Sequence, residues 1–105
     1  MHINFSPVRR DMRLTLSRTA DILTINGVVF DFTPLPDGAT LPRQSIDSDW
    51  IAGDVTRTDG ILSVPLILPH GADAPDATRF PAPMTLTGDG PVVLPPYDQE
   101  AANDH

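Results

Sequence analysis

The chain has 105 residues, contains no cysteine and carries a net charge of −7, with 14 acidic residues against 7 basic ones. This length predicts a single domain, and the missing cysteine excludes disulfides, thiolate metal sites and a cysteine nucleophile. Because a negative domain repels phosphate groups, we expect no nucleic acid partner.

Membrane and export signals are not visible in the sequence. No apolar run approaches the roughly 20 residues that a membrane helix needs. The first seven residues, Met-His-Ile-Asn-Phe-Ser-Pro, lack the apolar core of a signal peptide. We therefore expect a protein that has no membrane partner and is not exported by a signal of its own.

Two strands are predicted before residue 18. Residues 2–6 alternate weakly between apolar and polar. Pro7 either ends this run or places it at a sheet edge, because proline cannot donate a ladder hydrogen bond. Residues 11–17 alternate clearly and predict a half-buried strand. Its apolar positions are Met12, Leu14 and Leu16.

All seven basic residues are arginines, and four of them cluster before residue 19, opposed only by Asp11: Arg9, Arg10, Arg13 and Arg18. Such a cluster can contact an acidic patch on another protein, so Arg9, Arg10 and Arg13 are candidate interface residues. The alternative is a solvent-facing set of weak surface ion pairs, which is the more common arrangement.

The strongest local signal is the segment 21–33, in which two apolar runs flank Asn26-Gly27. A type I′ turn needs positive φ at both central residues, which Asn tolerates and Gly adopts without strain. The resulting register pairs Ile25 with Val28 and predicts one apolar face. That face consists of Leu23, Ile25, Val28 and Phe30.

A second hairpin is predicted over residues 50–69, with Asp59-Gly60 as its turn. Pro65 indicates that its second strand is an edge or is bulged, and Gly53 marks a possible bulge in the first strand. One face collects Ile51, Val55, Leu62, Val64, Leu66 and Leu68. We expect this face to pack on the apolar face of the first hairpin.

The remaining elements complete an all-β prediction. Proline-rich loops occupy 34–45 and 69–83, and a third hairpin is expected around Gly88-Asp89-Gly90, between 84–87 and 92–94. No segment has a sustained helical period. The pattern predicts a small antiparallel sandwich or open barrel of consecutive hairpins with very little helix. Residues 1–96 form this domain, and residues 97–105 are predicted to be a flexible acidic tail.

Candidate chemistry is sparse. His70 is the only histidine away from the ends of the chain, and no serine near it lies in a nucleophile motif. Asp47, Asp49 and Asp54 could approach a hard cation, but they do not follow a calcium-loop pattern. We therefore expect no catalytic residue, no metal site and no cofactor.

The single tryptophan, Trp50, has two interpretations. Tryptophan is enriched at protein interfaces, so it is a candidate anchor for a partner. The alternative is a residue at the rim of the core beneath a proline loop.

Several turn and loop strings resemble small, uncharacterised proteins encoded by bacteriophages and prophages near tail genes. The strings are 25–27, 30–39, 68–71 and 89–98. The resemblance extends from about Asp21 to Asp98. It implies tail structure or tail assembly, in the bacterial cytoplasm during assembly and then in the virion. It implies no reaction and carries over no functional residues.

The sequence thus favours a non-enzymatic structural or assembly protein, a phage tail accessory component whose partners are other tail proteins or further copies of itself. The alternative is a small carbohydrate- or peptide-binding β module that uses Trp50 and the proline loops. A hydrolase is a third hypothesis, and it needs two carboxylates about 5–10 Å apart in a cleft.

Overall fold

The structure is a computed structural model and describes residues 1–98. It contains nine strands, one 3₁₀ turn (Arg43–Ser45) and one short helix, α1 (Asp76–Arg79). The strands are β1 (His2–Arg9), β2 (Leu16–Thr19), β3 (Ile22–Ile25), β4 (Val28–Asp31), β5 (Thr40–Leu41), β6 (Val55–Thr58), β7 (Ile61–His70), β8 (Met84–Thr85) and β9 (Gly90–Pro91). The predicted all-β class with very little helix is confirmed. No helix within residues 1–98 is long and apolar enough to cross a membrane.

The strands form two sheets, ordered β5-β6-β7-β1-β8 and β4-β3-β2-β9. Buried side chains from both sheets belong to one hydrophobic cluster. Its members are Ile3, Leu16, Leu23, Ile25, Phe32, Ile51, Val55, Leu62, Val64, Leu66 and Leu86. The expectation that the faces of the first two hairpins share one core is therefore confirmed, except that Leu68 is buried outside this cluster.

The first hairpin has the predicted register, with Ile25 opposite Val28 and Leu23 opposite Phe30. Asn26 and Gly27 have φ values of 48° and 83°, as a type I′ turn requires. One part of the predicted apolar face differs. The side chain of Val28 is 55% exposed, because β4 is the edge strand of its sheet and the core ends before reaching it.

The second hairpin keeps the predicted register only near its turn. Thr58 pairs with Ile61 and Thr56 with Ser63, but farther along Ile51 lies opposite Leu66. The first strand therefore has two extra residues, which form the bulge predicted at Gly53. A side chain there would crowd Pro65, because a Cβ atom added to Gly53 would stand 3.2 Å from the Pro65 Cγ.

The longest pairing in the molecule is parallel, between β1 and β7. It places β7 inside its sheet and pairs it without interruption through Pro65, so β7 is neither an edge strand nor bulged itself, and both forms predicted for it are wrong. The bulge lies in the opposite strand, at Gly53. On its other side, β1 pairs with β8 only at His2 and Ile3. Pro7 therefore lies where β1 has a free edge among the described residues, which agrees with the edge placement predicted from the sequence.

Two predicted strands are corrected by the structure. Residues 11–15 are irregular, and the strand begins only at Leu16, because the Asn26 side chain and the hairpin turn hold Thr15 in place of a ladder. The third hairpin is wrong. Its first half joins β1 as β8, but the strand that joins β2 is β9, which begins at Gly90 in the predicted turn, and residues 92–94 form no strand. The turn around Asp89 therefore crosses between the sheets.

The end of the described chain packs on the body of the domain. The Tyr97 hydroxyl donates to the carbonyl of Arg10, and the Tyr97 carbonyl accepts a hydrogen bond of 2.9 Å from the Gly71 amide. The Asp98 carboxylate accepts from the amide of Asp73 at 3.1 Å. The tail predicted from residue 97 thus has two residues in the described part, and residues 99–105 lie outside it.

Candidate interaction surface

The structure separates the four predicted interface residues into three places. The Arg10 guanidinium lies 5.0 Å from the centre of the Trp50 ring and donates to the Asp49 carbonyl at 3.3 Å. Arg13 lies 4.4 Å from the centre of the Tyr97 ring instead. Arg9 is exposed at the end of β1. Only Arg10 and Trp50 are brought into one site.

The half-buried Trp50 ring packs against the core and also lines an open groove of about 330 Å³. We call this concavity the Trp50 groove. It is lined by Met12, Ile25, Asn26, Val28, Phe30, Asp47, Ser48, Asp49 and Trp50. The packing places Trp50 at the rim of the core, as one interpretation predicts, and the groove leaves part of its surface accessible. That a partner binds this surface stays a prediction.

The backbone holds Trp50 firmly in place. Its amide donates to the Ser48 hydroxyl at 3.0 Å, and its carbonyl accepts from the Ile67 amide at 2.8 Å. The second bond ties the segment to β7, inside the five-stranded sheet. The cation–π contact with Arg10 contributes about 0.5–1 kcal/mol at an exposed site such as this. The ring therefore lines the groove as a fixed surface.

Two apolar side chains at the groove are largely exposed and do not pack in the core. Met12 is 63% exposed and Val28 is 55% exposed. The sequence pattern assigned both to buried faces, and no local signal contradicts that assignment. Their exposure depends on which strand is outermost and where β2 begins, and both are decided by pairing with distant parts of the chain.

The turn residue Asn26 fixes the other end of the groove. Its side-chain oxygen accepts from the Thr15 amide at 2.6 Å, and its side-chain nitrogen donates to the Arg13 carbonyl at 3.2 Å. These bonds tie the segment that follows Met12 to the turn between β3 and β4. The same residue thus closes the hairpin and shapes the groove.

We expect Asn26→Ala to lower the free energy of unfolding by about 2 kcal/mol, since alanine is strained at positive φ and cannot bond to Thr15. Asn26→Gly avoids the strain but still loses the side-chain bonds, so it should lower the free energy of unfolding by about 1 kcal/mol. Urea denaturation followed by Trp50 fluorescence measures both. If the glycine variant is as stable as the native protein, the side-chain bonds contribute nothing.

The acidic groups near the groove remain available to a ligand. Asp47 and Asp49 are exposed, and within residues 1–98 neither forms an ion pair. Asp31, on β4, accepts hydrogen bonds from the side chain and backbone of Thr33, which hold its pKa below the ordinary value. This carboxylate is therefore ionised at neutral pH.

A second concavity of about 310 Å³ borders the far end of β4. Its lining residues are Asp31, Phe32, Pro34, Leu35, Pro36 and Leu41. Because it includes residues of both β4 and β5, the edge strands of the two sheets approach each other here. Two hollows thus follow one another along β4.

Of the residues considered for catalysis and metal binding, His70 and Asp54 have contacts within the fold. The Nδ1 atom of His70 lies 3.0 Å from the Gly71 carbonyl. The Asp54 carboxylate accepts from the Arg43 amide at 2.8 Å, which caps the 3₁₀ turn. Within residues 1–98, no group of three or more histidine and acidic side chains is placed to hold a metal ion.

Comparisons of this chain with protein-family models, with curated proteins and with solved structures each found no match.

Proposed function

We propose that the chain is a non-enzymatic structural or assembly protein that acts by binding another protein, as an accessory component of a bacteriophage or prophage tail. The observation that supports binding is the exposure of Met12 and Val28 beside Trp50 in one open groove. The phage setting rests on the resemblance of the turn and loop strings. The groove supports only the proposal that the chain binds another protein.

Binding a partner at the groove is favourable because it removes exposed apolar surface from water. Burying apolar surface stabilises a complex by roughly 25 cal/mol for each Å² removed from water. Aromatic residues, methionine and arginine are enriched where proteins meet. The groove brings together Trp50 and Met12, and Arg10 lies against the Trp50 ring. A fixed ring also loses little conformational freedom when a partner binds.

The test uses the full chain as bait for the proteins of the tail encoded beside its own gene. We expect the native protein to retain one of them, and Trp50→Ala to weaken that binding by about tenfold or more, as for a central interface aromatic. Phe80→Ala is the matched control, because Phe80 is an aromatic residue that is 77% exposed away from the groove.

Circular dichroism must show that both variants are folded. If the purified protein is a strict monomer in light scattering and retains no virion protein, the proposal fails. Equal losses for Trp50→Ala and Phe80→Ala would remove the groove as the binding surface.

A carbohydrate- or peptide-binding module is the second candidate, because the Trp50 ring lies beside the exposed carboxylates of Asp47 and Asp49. An aromatic surface with nearby hydrogen-bond acceptors suits either a sugar or a peptide. Trp50 is the only tryptophan, so its fluorescence reports directly on the groove. A flat response to a glycan panel would exclude the carbohydrate form of this candidate.

A further inference from the structure

We infer that the free edge of β4 accepts an extended segment of a partner protein as an additional strand. The apolar side chains of that segment lie in the Trp50 groove, and its basic side chains lie on the outer face beside Asp31. This inference rests on the proposed function and specifies how the partner is bound and what chemistry it carries.

The backbone of β4 supplies the first argument. Ile25 and Val28 close a two-residue turn and exchange hydrogen bonds, so the next pair, Thr24 and Val29, does not. The N–H and C=O groups of Val29 and Asp31 therefore point away from β3. Within the described chain no strand lies on that side of β4, so these groups are free to pair with another chain.

The inner face of β4 supplies the second argument. Val28 and Phe30 project to the same side as the buried Leu23 and Ile25, yet Val28 is largely exposed because the opposite sheet leaves this corner open. A strand added beside β4 continues the sheet, and every second side chain points to this inner face. Those side chains would enter the Trp50 groove.

Charge indicates what the outer positions carry. The outer face of β4 presents the ionised Asp31, and cross-strand pairs of opposite charge are favourable. The chain has a net charge of −7, which attracts a basic segment as it approaches. Apolar residues alternating with lysine or arginine match both faces.

A second copy of this chain fits the edge less well. Its own β4 reads Val-Val-Phe-Asp and offers no basic side chain to Asp31. Two copies joined at this edge would also bring the carboxylates of Asp47 and Asp49 from both molecules to the same side of a continuous sheet, where like charges repel. The inference is therefore a heterologous segment.

The test titrates the full chain with a peptide of about seven residues, the length of an ordinary strand, that alternates lysine with valine or leucine. Two control peptides carry glutamate in place of lysine, or N-methyl groups on alternate backbone nitrogens. Trp50 fluorescence measures affinity, and amide hydrogen exchange measures protection at Val29 and Asp31. We expect both controls to bind about tenfold more weakly or worse.

Two variants of the protein test the site itself. Val29→Pro removes an N–H that β3 does not use and should abolish protection at the edge. Val28→Lys places a cation among the apolar side chains of the groove, where it also repels the lysine peptide, and should reduce affinity for that peptide about tenfold. Val93→Lys, at a position that is 88% exposed, is the matched control and should bind like the native protein.

The outcomes separate this inference from the proposed function. If a tail protein binds the native chain, Val29→Pro and Val28→Lys equally well, the proposed function stands and the edge inference fails. If the lysine peptide binds in an edge-dependent way but no tail protein binds, the edge inference stands and the proposed function fails. Concentration-dependent dimers that Val29→Pro dissociates would overturn the inference in favour of a second copy.

Discussion

Arg57→Ala is expected to lower the free energy of unfolding by about 3 kcal/mol, since it leaves partly buried carbonyl groups without a donor. The Arg57 side chain is only 11% exposed. Its Nε donates to the Leu35 carbonyl at 2.7 Å, and its Nη2 donates to the Phe32 carbonyl at 3.1 Å and the Asp21 carboxylate at 3.1 Å. The Arg57 guanidinium on β6 thereby binds two parts of the four-stranded sheet, the turn before β3 at Asp21 and the loop that follows β4 at Phe32 and Leu35.

The planar fork of arginine matters as much as its charge. Arg57→Lys keeps the charge near Asp21 but cannot reach all these acceptors, so we expect a loss of about 2 kcal/mol. Arg9→Ala is the matched control, because Arg9 is exposed, and should change stability by less than about 0.5 kcal/mol. Equal urea midpoints for Arg57→Ala and Arg9→Ala would show that this contact does not join the sheets.

Leu23→Ala is expected to cost about 3 kcal/mol, the usual range for removing a fully buried leucine side chain. Leu23 has no exposed surface and belongs to the cluster that both sheets share. Because the core is common, the loss should lower the stability of the whole domain in one transition. Circular dichroism and Trp50 fluorescence should therefore shift together in urea.

Val29→Thr is the matched control for Leu23→Ala in the same hairpin, because Val29 is exposed and threonine keeps a β-branched shape. We expect it to change stability by less than about 0.5 kcal/mol. The shared core would be contradicted if Leu23→Ala shifted the circular dichroism transition while Trp50, tied to β7 in the other sheet, kept its native midpoint.

Local chemistry explains what the sequence predicted well. Asn26-Gly27 and Asp59-Gly60 adopt the positive φ values that a tight hairpin needs, and alternation then fixes which side chains face inward. The bulge at Gly53 was predicted on the same grounds. Each of these features is decided by residues that are close together in the chain.

The misassigned elements depend on pairing between distant residues. The segments around Gly88-Asp89-Gly90 have strand and turn chemistry, but the Asp89 carboxylate accepts from the Ala20 amide at 2.9 Å and the chain passes to the other sheet. Alternation alone cannot choose between a neighbouring and a distant partner. The exposed positions of the candidate site, Met12 and Val28, were missed for the same reason.

The candidate site was predicted only in part. Trp50 and Arg10 were selected from residue type and position, and the structure places them in contact. The free edge of β4 could not be predicted, because the residues of an edge strand and an inner strand can read alike. Arg57 was also not singled out, since the carbonyl groups that it joins come from a loop with no distinctive pattern.

The parallel pairing of β1 with β7 has a consequence for how the molecule folds. The hairpins of β3–β4 and β6–β7 close short loops, whereas β1 must find a strand that begins at Ile61, with the entropy cost of a long loop. Topologies rich in such distant contacts fold slowly. On a ribosome, β1 therefore waits without its main partner strand until residues 63–70 of β7 have been made.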